Sequence, residues 1–169
     1  MQTYRIRPSF LLPLGIVVVL CLILVGIVMI QHQPPAKLLV VGCALLPLGY
    51  LLFECVVRRI EIDNTGLRMI RLGRILAFSW GEITAVETVR VRQRAFLTIN
   101  AGEEFLIIAN MYAGFDRLLN SVLERVPPAT ISEETRLLAQ APPVKHSDIV
   151  ILWGMAILMA YLIFAQFPH

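Results

Sequence analysis

The residue types that most often carry out chemistry, namely histidine, cysteine and paired carboxylates, are few and scattered in this chain. The three histidines are His32, His146 and His169, which fall in separate segments. Glu103 and Glu104 are adjacent, so a strand would point their side chains to opposite faces. Serine-hydrolase, HExxH and phosphate-binding glycine motifs do not occur in the sequence. We therefore expect a protein that is not an enzyme, with no catalytic residues, no metal and no cofactor.

Arginine is the charged residue type that clusters most clearly. The cluster consists of Arg68, Arg71, Arg74, Arg90, Arg92 and Arg94. Period-two spacing predicts that Arg90, Arg92 and Arg94 share one strand face. Beside an anionic membrane each nearby base contributes about 1 kcal/mol to binding. These arginines are therefore candidate contacts for anionic lipid headgroups or an acidic partner. The alternative is an ordinary solvated sheet face with acids such as Glu61 and Glu87 opposite.

The overall composition indicates a membrane protein. Mean hydropathy is +0.74 and only 16% of the residues are charged, against about 25% in soluble domains. The net charge of +3 is too small to indicate a nucleic-acid partner. The cysteines lie in apolar runs without metal-site spacing, which disfavours zinc and a disulfide framework. They are Cys21, Cys43 and Cys55.

Three apolar runs predict transmembrane helices, because about 20 such residues cross a hydrocarbon core of about 30 Å. They are Phe10–Ile30, Leu38–Val57 and Ile149–Phe167. The prolines of the polar link Gln31–Lys37 cannot continue a helix, so residues 1–57 form a helical hairpin. A cleaved signal peptide is the alternative for the first run. It would have a shorter apolar region and a small-x-small cleavage site, which this run lacks.

Basic residues around the first two runs predict the orientation. Arg5 and Arg7 precede the hairpin and Arg58 and Arg59 follow it, whereas the link contains only Lys37. The positive-inside rule therefore places the N-terminus and residues 58–147 in the cytoplasm.

Glu54 is the acid that falls within a predicted span. A carboxylate in the membrane is by default a candidate site for ions or protons. Arg58 lies four residues later, at a favourable spacing for a helical ion pair. We expect a structural Glu54–Arg58 pair, because no acid or histidine in another span provides a relay partner. A transporter or membrane enzyme that uses Glu54 is the least supported alternative.

Residues 58–126 have the alternating pattern of short strands. The predicted strands are Arg59–Asp63, Leu67–Leu72, Ile75–Trp80, Ile83–Arg92, Phe96–Asn100 and Glu103–Ile108. The run Ile83–Arg92 fits either one bent strand or two. Turn residues between them favour a small antiparallel sheet or barrel. Between Asn110 and Val126 the apolar residues recur every three or four positions, and Asn110 is the candidate N-cap. This predicts an amphipathic helix that closes the sheet, and hence an α+β membrane protein.

Residues 127–147 are predicted to link this domain to the third span. Thr130–Glu133 fits a capping box, so a short helix to about Gln140 is expected. The apolar side chains of Ile131, Leu137 and Leu138 would dock this helix on the domain. In the third span, Ala156 and Ala160 have a spacing that allows close helix approach.

Two segments of the strand region resemble bacterial pleckstrin-homology-like (PH-like) domains of small membrane proteins. The opening pattern R-I-x-[IL]-x-x-x-G-L is matched by Arg59–Leu67, and W-x-[ED]-I-x-x-V is matched by Trp80–Val86. The resemblance covers roughly residues 57–126, under half of the chain. It implies a PH-like fold and a membrane-tethered, non-catalytic role, here at a bacterial inner membrane, and it fixes no ligand.

Two functions fit these features. The first is an accessory subunit, scaffold or assembly factor that contacts the lipid bilayer and a membrane-protein partner. The alternative is a membrane-tethered module that binds or senses anionic lipid headgroups.

Trp80 is either an exposed platform for a ligand or a core residue. Trp80 is two residues after Phe78, so on a strand both side chains point to the same face. The apolar side of the predicted helix, which contains Phe115 and Leu119, must cover a face of the sheet. We therefore predict that Trp80 is mostly buried near this helix, with its indole N–H bonded. Truncation of Trp80 to alanine would then cost about 3–5 kcal/mol. Ile83 in the same segment is predicted to be structural.

Overall fold

A computed structural model describes residues 1–91, 94–140 and 147–166. These residues divide into two compact units. The strand unit consists of Met1–Arg7 and residues 57–140, and the helical unit consists of Pro8–Val56 and residues 147–166. The described chain contains five α-helices and two antiparallel sheets, which confirms the predicted α+β class.

The elements follow one another along the chain with short connections. The helices are α1 (Pro8–Ile30), α2 (Pro35–Val57), α3 (Phe115–Leu123), α4 (Glu133–Gln140) and α5 (Ser147–Phe164). The strands are β1 (Gln2–Arg5), β2 (Arg59–Ile62), β3 (Gly66–Arg71), β4 (Arg74–Ser79), β5 (Ala85–Val91), β6 (Arg94–Ala101) and β7 (Glu104–Ala109).

The helical unit is built around α1. Its buried side chains recur at spacings of three and four, and they include Leu14, Val17, Cys21, Leu24 and Val28. Ala156 of α5 is buried against Val17 and Cys21, as expected for a small residue at a close helix contact, whereas Ala160 is exposed. The side-chain amide of Gln33, just beyond α1, donates to Gln166 Oε1 at 2.9 Å, so α1 and α5 run parallel.

Two of these helices, α1 and α2, are long and apolar enough to cross a membrane, and α5 is a shorter apolar helix. This criterion uses length and composition alone. A signal sequence and the core helix of a soluble protein also satisfy it, so by themselves α1 and α2 are weak evidence for membrane insertion.

The strand unit contains two sheets rather than one continuous sheet. The first has the order β1-β2-β3-β4 and the second has the order β5-β6-β7. The sequence did not predict β1, which pairs antiparallel with β2 so that Arg5 lies opposite Arg59. The chain therefore leaves the first sheet after β1, forms α1 and α2, and returns directly beside β1 as β2.

The end of β1 also connects the two sheets. Ile6 forms an antiparallel bridge with Tyr112, which follows β7. The Arg7 amide donates to Met111 O at 3.0 Å, and the Ala113 amide donates to Arg5 O at 2.8 Å. These bonds hold residues 111–113 against the end of β1, and the N-cap of α3 is Gly114 rather than the predicted Asn110. Helix α3 begins after Gly114, whose φ of 67° suits glycine.

The core of the strand unit lies along the inner faces of both sheets and is covered by α3. Its sheet residues include Ile60, Ile62, Leu67, Met69, Leu97, Ile99, Leu106 and Ile108. Helix α3 contributes Phe115 and Leu119, and Ile83 between the sheets is also buried. Helix α3 therefore completes the core with one apolar stripe.

Helix α4 docks against β5 and is described up to Gln140, where a short helix was predicted. Its cap is Ser132 rather than Thr130, because Ser132 Oγ accepts from the Thr135 amide at 3.3 Å. Ile131 forms a parallel bridge with Val86 of β5, which fixes the rotation of the helix that follows. As a result Thr135 and Leu138 are buried, whereas Leu137, which was expected to dock, is 59% exposed.

Candidate functional site

The described titratable residues do not converge on one place. Among residues 1–91, 94–140 and 147–166, no group of three or more histidine, cysteine or carboxylate side chains is placed to hold a metal ion. His146 and His169 lie outside the described residues. The polar contacts that stand out among the described residues lie at separate places in the strand unit. They involve several arginines, Trp80 and a group of hydroxyl side chains between α4 and β5.

Arg71 and Arg74 form a cross-strand pair at the turn between β3 and β4. Arg71 Nη2 donates to Ile107 O of β7 at 3.5 Å, and Arg74 Nη2 lies 3.8 Å from Glu104 Oε1. Both members of the Arg74–Glu104 pair are exposed, so it contributes little stability. The turn thus lies against β7, whose outward-facing Phe105 is 61% exposed.

The other arginines lie elsewhere in the strand unit. Arg68 is opposite Ala77, on the face of β3 away from Arg71. Arg90 is opposite Ala95 and Arg94 is opposite Val91, so Arg90 and Arg94 lie on opposite faces of the β5–β6 hairpin. The prediction of one shared face is wrong for this pair, because β5 ends at Val91 and Arg94 already belongs to β6. Arg92 lies outside the described residues.

Asp63 organises the turn between β2 and β3. Its Oδ1 accepts from the Thr65 hydroxyl at 2.6 Å, from the Thr65 amide at 2.8 Å and from the Gly66 amide at 2.9 Å. The Thr65 hydroxyl, followed by the two amides, holds the pKa of Asp63 below its ordinary value of 3.8, and the charge of Arg68 adds to this effect. Hydrogen bonds to the charged form therefore favour the carboxylate.

This turn predicts an acid-dependent loss of stability. A lowered folded-state pKa means that the charged Asp63 stabilises the fold above about pH 4 and that this contribution disappears as the pH falls through the lowered pKa. Thermal unfolding of the wild type and Asp63→Ala should therefore differ near pH 6, and the difference should shrink as the pH falls below about 4. A difference in melting temperature that is independent of pH would contradict the role of the carboxylate charge.

Trp80 opens a short 3-10 helix, Trp80–Glu82, next to this turn. Its amide donates to Thr65 O at 3.3 Å, and its Nε1 donates to Asp63 O at 3.1 Å. The guanidinium carbon of Arg125, just after α3, lies 5.9 Å from the ring centroid, a cation–π contact. The ring is half-buried, so we expect Trp80→Ala to cost less than the about 3–5 kcal/mol of a fully buried aromatic residue.

Hydroxyl groups join α4 to β5 in a place that the sequence pattern did not reveal. Thr135 Oγ1 lies 2.8 Å from Thr88 Oγ1 and 2.8 Å from Ser132 Oγ, and it donates to Val86 O at 3.3 Å. Thr135 is fully buried. The signal available in the sequence was a threonine three residues before Leu138, a spacing that puts both on the inner face of α4.

We predict that Thr135→Val destabilises the strand unit by about 1–3 kcal/mol, because the Thr88 hydroxyl and the Val86 carbonyl each lose a partner. The double variant Thr88→Val/Thr135→Val should recover part of the loss, since removal of both partners leaves fewer unsatisfied groups. Urea unfolding of the four proteins of this mutant cycle measures the coupling. Purely additive effects would contradict it.

Glu54 lies in α2 and Arg58 directly follows that helix, and both side chains are partly exposed. Each takes part in polar or electrostatic contacts. The specific Glu54–Arg58 pair stays a prediction.

The register of β1 and β2 creates a basic pair that the sequence did not predict. Arg5 and Arg59 lie directly opposite each other on the outer face of the first sheet. Arg59 Nε donates to Glu61 Oε1 at 2.8 Å, and the side chain of Arg5 is exposed. Like charges directly opposite each other destabilise a sheet. The sequence showed the arginines, but only the pairing of β1 with β2 brings them together.

Comparisons of this chain with protein families, with curated proteins and with solved structures found no match.

Proposed function

We propose that this chain is a three-span protein of a bacterial inner membrane. Its cytoplasmic PH-like domain would serve a membrane complex as a non-catalytic accessory subunit, scaffold or assembly factor. The observation that carries this proposal is the pairing of β1 with β2 across the helical hairpin. Paired strands must lie on the same side of a membrane, so the chain between them crosses it an even number of times. Two crossings, by α1 and α2, satisfy this condition.

The exposure of the helices supports insertion over a soluble core. Only 6% of the apolar window of α2 is buried, whereas a core helix would be mostly buried. Its exposed side chains are large and apolar, and they include Leu39, Leu46 and Phe53. Hydrocarbon is the solvent in which such a surface is stable.

Helix α5 is proposed as the third span. It has 18 residues, about 27 Å of helix, and it packs parallel to α1. Because α5 runs in the same direction as α1, it would cross the membrane from the same side as α1. The end of α5 would then lie on the side opposite the N-terminus.

The order of elements supports a PH-like domain. Sheets of four and three antiparallel strands are followed by α3, which covers their core. The two sequence segments that resemble the family occupy the β2–β3 hairpin and the connection from the 3-10 helix into β5. The bridge between Ile6 and Tyr112 links the sheets at one corner, as closure into a barrel requires.

A role in protein–protein contact is supported by apolar side chains that the strand unit exposes. Phe105 is 61% exposed and Ile107 is 40% exposed, and both lie on the outer face of β7. Clustered exposed apolar residues with an arginine at the rim are typical of interaction sites. Here Arg71 and Arg74 provide that rim.

Cysteine labelling tests the proposed topology. In a cysteine-free background, Gln33→Cys should react with a membrane-impermeant maleimide from outside intact cells. Thr65→Cys should react only after permeabilisation, because its turn would be cytoplasmic. Equal labelling of both positions in intact cells would contradict the proposed membrane arrangement.

Gentle detergent extraction followed by copurification tests the scaffold role. A stoichiometric partner should be recovered with the wild type, and Phe105→Ser should lower its recovery at least about tenfold, as for a central apolar contact. Glu103→Ser, at the neighbouring turn, is the control and should leave recovery unchanged. A wild-type protein that is extracted without any partner would contradict this role.

A further inference from the structure

We propose that Arg5 and Arg59 form a binding site for the phosphate of an anionic phospholipid headgroup. The register places these two guanidinium groups on one outer face of the first sheet, on neighbouring strands. Directly opposed residues of antiparallel strands have Cβ atoms about 4.5–5.5 Å apart. Two arginine side chains at that separation can both donate to a single phosphate, the geometry for which arginine is suited.

The local charge favours an anion. Glu61 lies on the same face of the sheet, opposite Thr3. It forms a salt bridge with Arg59 and so neutralises part of the positive charge. Arg5 is exposed, and among the described residues its guanidinium has no acidic partner within salt-bridge distance. Arg7, two residues beyond Arg5, adds a further positive charge while its Nε donates to Tyr112 O at 3.2 Å. The repulsion between Arg5 and Arg59 is relieved when an anion binds between them.

Chain connectivity supplies the reason for a lipid rather than a free phosphate. Arg7 immediately precedes the first residue of α1, and β2 begins with Arg59, two residues after α2 ends. This inference rests on the membrane location proposed above. If α1 and α2 span the bilayer, their cytoplasmic ends lie at headgroup level, and so do the residues that join them to β1 and β2. Anionic headgroups of the cytoplasmic leaflet are the phosphates concentrated there.

The test uses the full chain purified in a mild neutral detergent and native mass spectrometry. Short-chain phosphatidylglycerol, short-chain phosphatidylcholine and glycerol phosphate are titrated separately. We expect saturable binding of phosphatidylglycerol. Arg5→Gln/Arg59→Gln should weaken it about twenty-fivefold, from about fivefold for each arginine. Arg117→Gln/Arg136→Gln removes the same charge at two exposed positions elsewhere and should leave the affinity within about twofold.

A third variant separates binding from folding. Glu61→Gln removes the acid that competes with the phosphate for Arg59, so it should strengthen phosphatidylglycerol binding, an outcome that general destabilisation would not produce.

Equal effects of the two double-arginine variants would overturn the proposed site. Glycerol phosphate binding as tight as that of phosphatidylglycerol would overturn the lipid assignment. Failure of lipid binding with correct cysteine labelling would reject only this inference, whereas failed labelling would reject the membrane location as well.

Discussion

Gly66→Ala is expected to unfold the strand unit at a markedly lower temperature than the wild type. A Cβ at this position would lie 2.2 Å from the carbonyl oxygen of Phe78, and the contacting atom belongs to the backbone of the neighbouring strand. Relief of the clash requires β3 and β4 to separate, where Gly66 pairs with Ser79. We expect a loss of about 3 kcal/mol, which lowers the melting temperature of a domain of this size by about 12–24 °C.

The matched control for this prediction is Gly81→Ala. A Cβ at Gly81 meets no atom within 4 Å, and the residue lies in the short 3-10 helix that follows β4. Tryptophan fluorescence of the full chain, with Trp153→Phe to leave Trp80 as the reporter, follows unfolding of the strand unit. Equal melting temperatures for the two alanine variants would show that β3 and β4 are not paired in this register.

Ile6→Asp is expected to have an effect of similar size, because Ile6 is only 2% exposed. The substitution removes a buried apolar side chain, which by itself costs about 2–5 kcal/mol, and it introduces a carboxylate that must be desolvated. Since Ile6 also forms the bridge to Tyr112, β1 should detach and expose the edge of β2. Limited proteolysis of the full chain, with cleavage sites read by mass spectrometry, measures this exposure.

The control is the same substitution at an exposed isoleucine of the same unit. Ile75 is 64% exposed on β4, so Ile75→Asp should leave protease resistance close to that of the wild type. If Ile6→Asp is as resistant as Ile75→Asp, residues 2–6 are not part of the folded unit.

The elements that the sequence revealed are those whose pattern is local. Strands β2 to β7 follow from alternation and turn residues, and α1 and α2 follow from uninterrupted apolar runs. The stripe of α3 containing Phe115 and Leu119 was visible from spacings of three and four. Its first turn was not visible, because residues 111–113 are held by hydrogen bonds to β1, which is more than a hundred residues away in the chain.

The features that the sequence did not reveal depend on such distant pairings. Strand β1 has four residues and no apolar alternation of its own, so only β2 beyond the helical hairpin defines it. The Arg5–Arg59 pair could not be predicted for the same reason. The prediction that Arg90 and Arg94 share one strand face was wrong because the two residues lie on different strands. Arg90 belongs to β5 and Arg94 to β6, the two arms of a hairpin.

Disulfide cross-linking in native membranes tests the pairing of β1 with β2 most directly. In a background without Cys21, Cys43 and Cys55, the variant Thr3→Cys/Glu61→Cys places two thiols at directly paired positions. Paired Cα atoms lie within the about 4.4–6.8 Å that a disulfide spans. The control, Thr3→Cys/Ala77→Cys, uses the same sheet face and row, but three strand spacings, about 14 Å, separate the two positions.

Mild oxidation should close the 3–61 disulfide in nearly all molecules and leave the 3–77 pair reduced. The intact full-length chain is then separated by electrophoresis without reductant, where the internal loop changes its mobility. This result would establish that the sheet closes across the helical hairpin, the arrangement from which the even number of membrane crossings follows. Absence of the 3–61 disulfide, or equal yields for the two pairs, would contradict that arrangement.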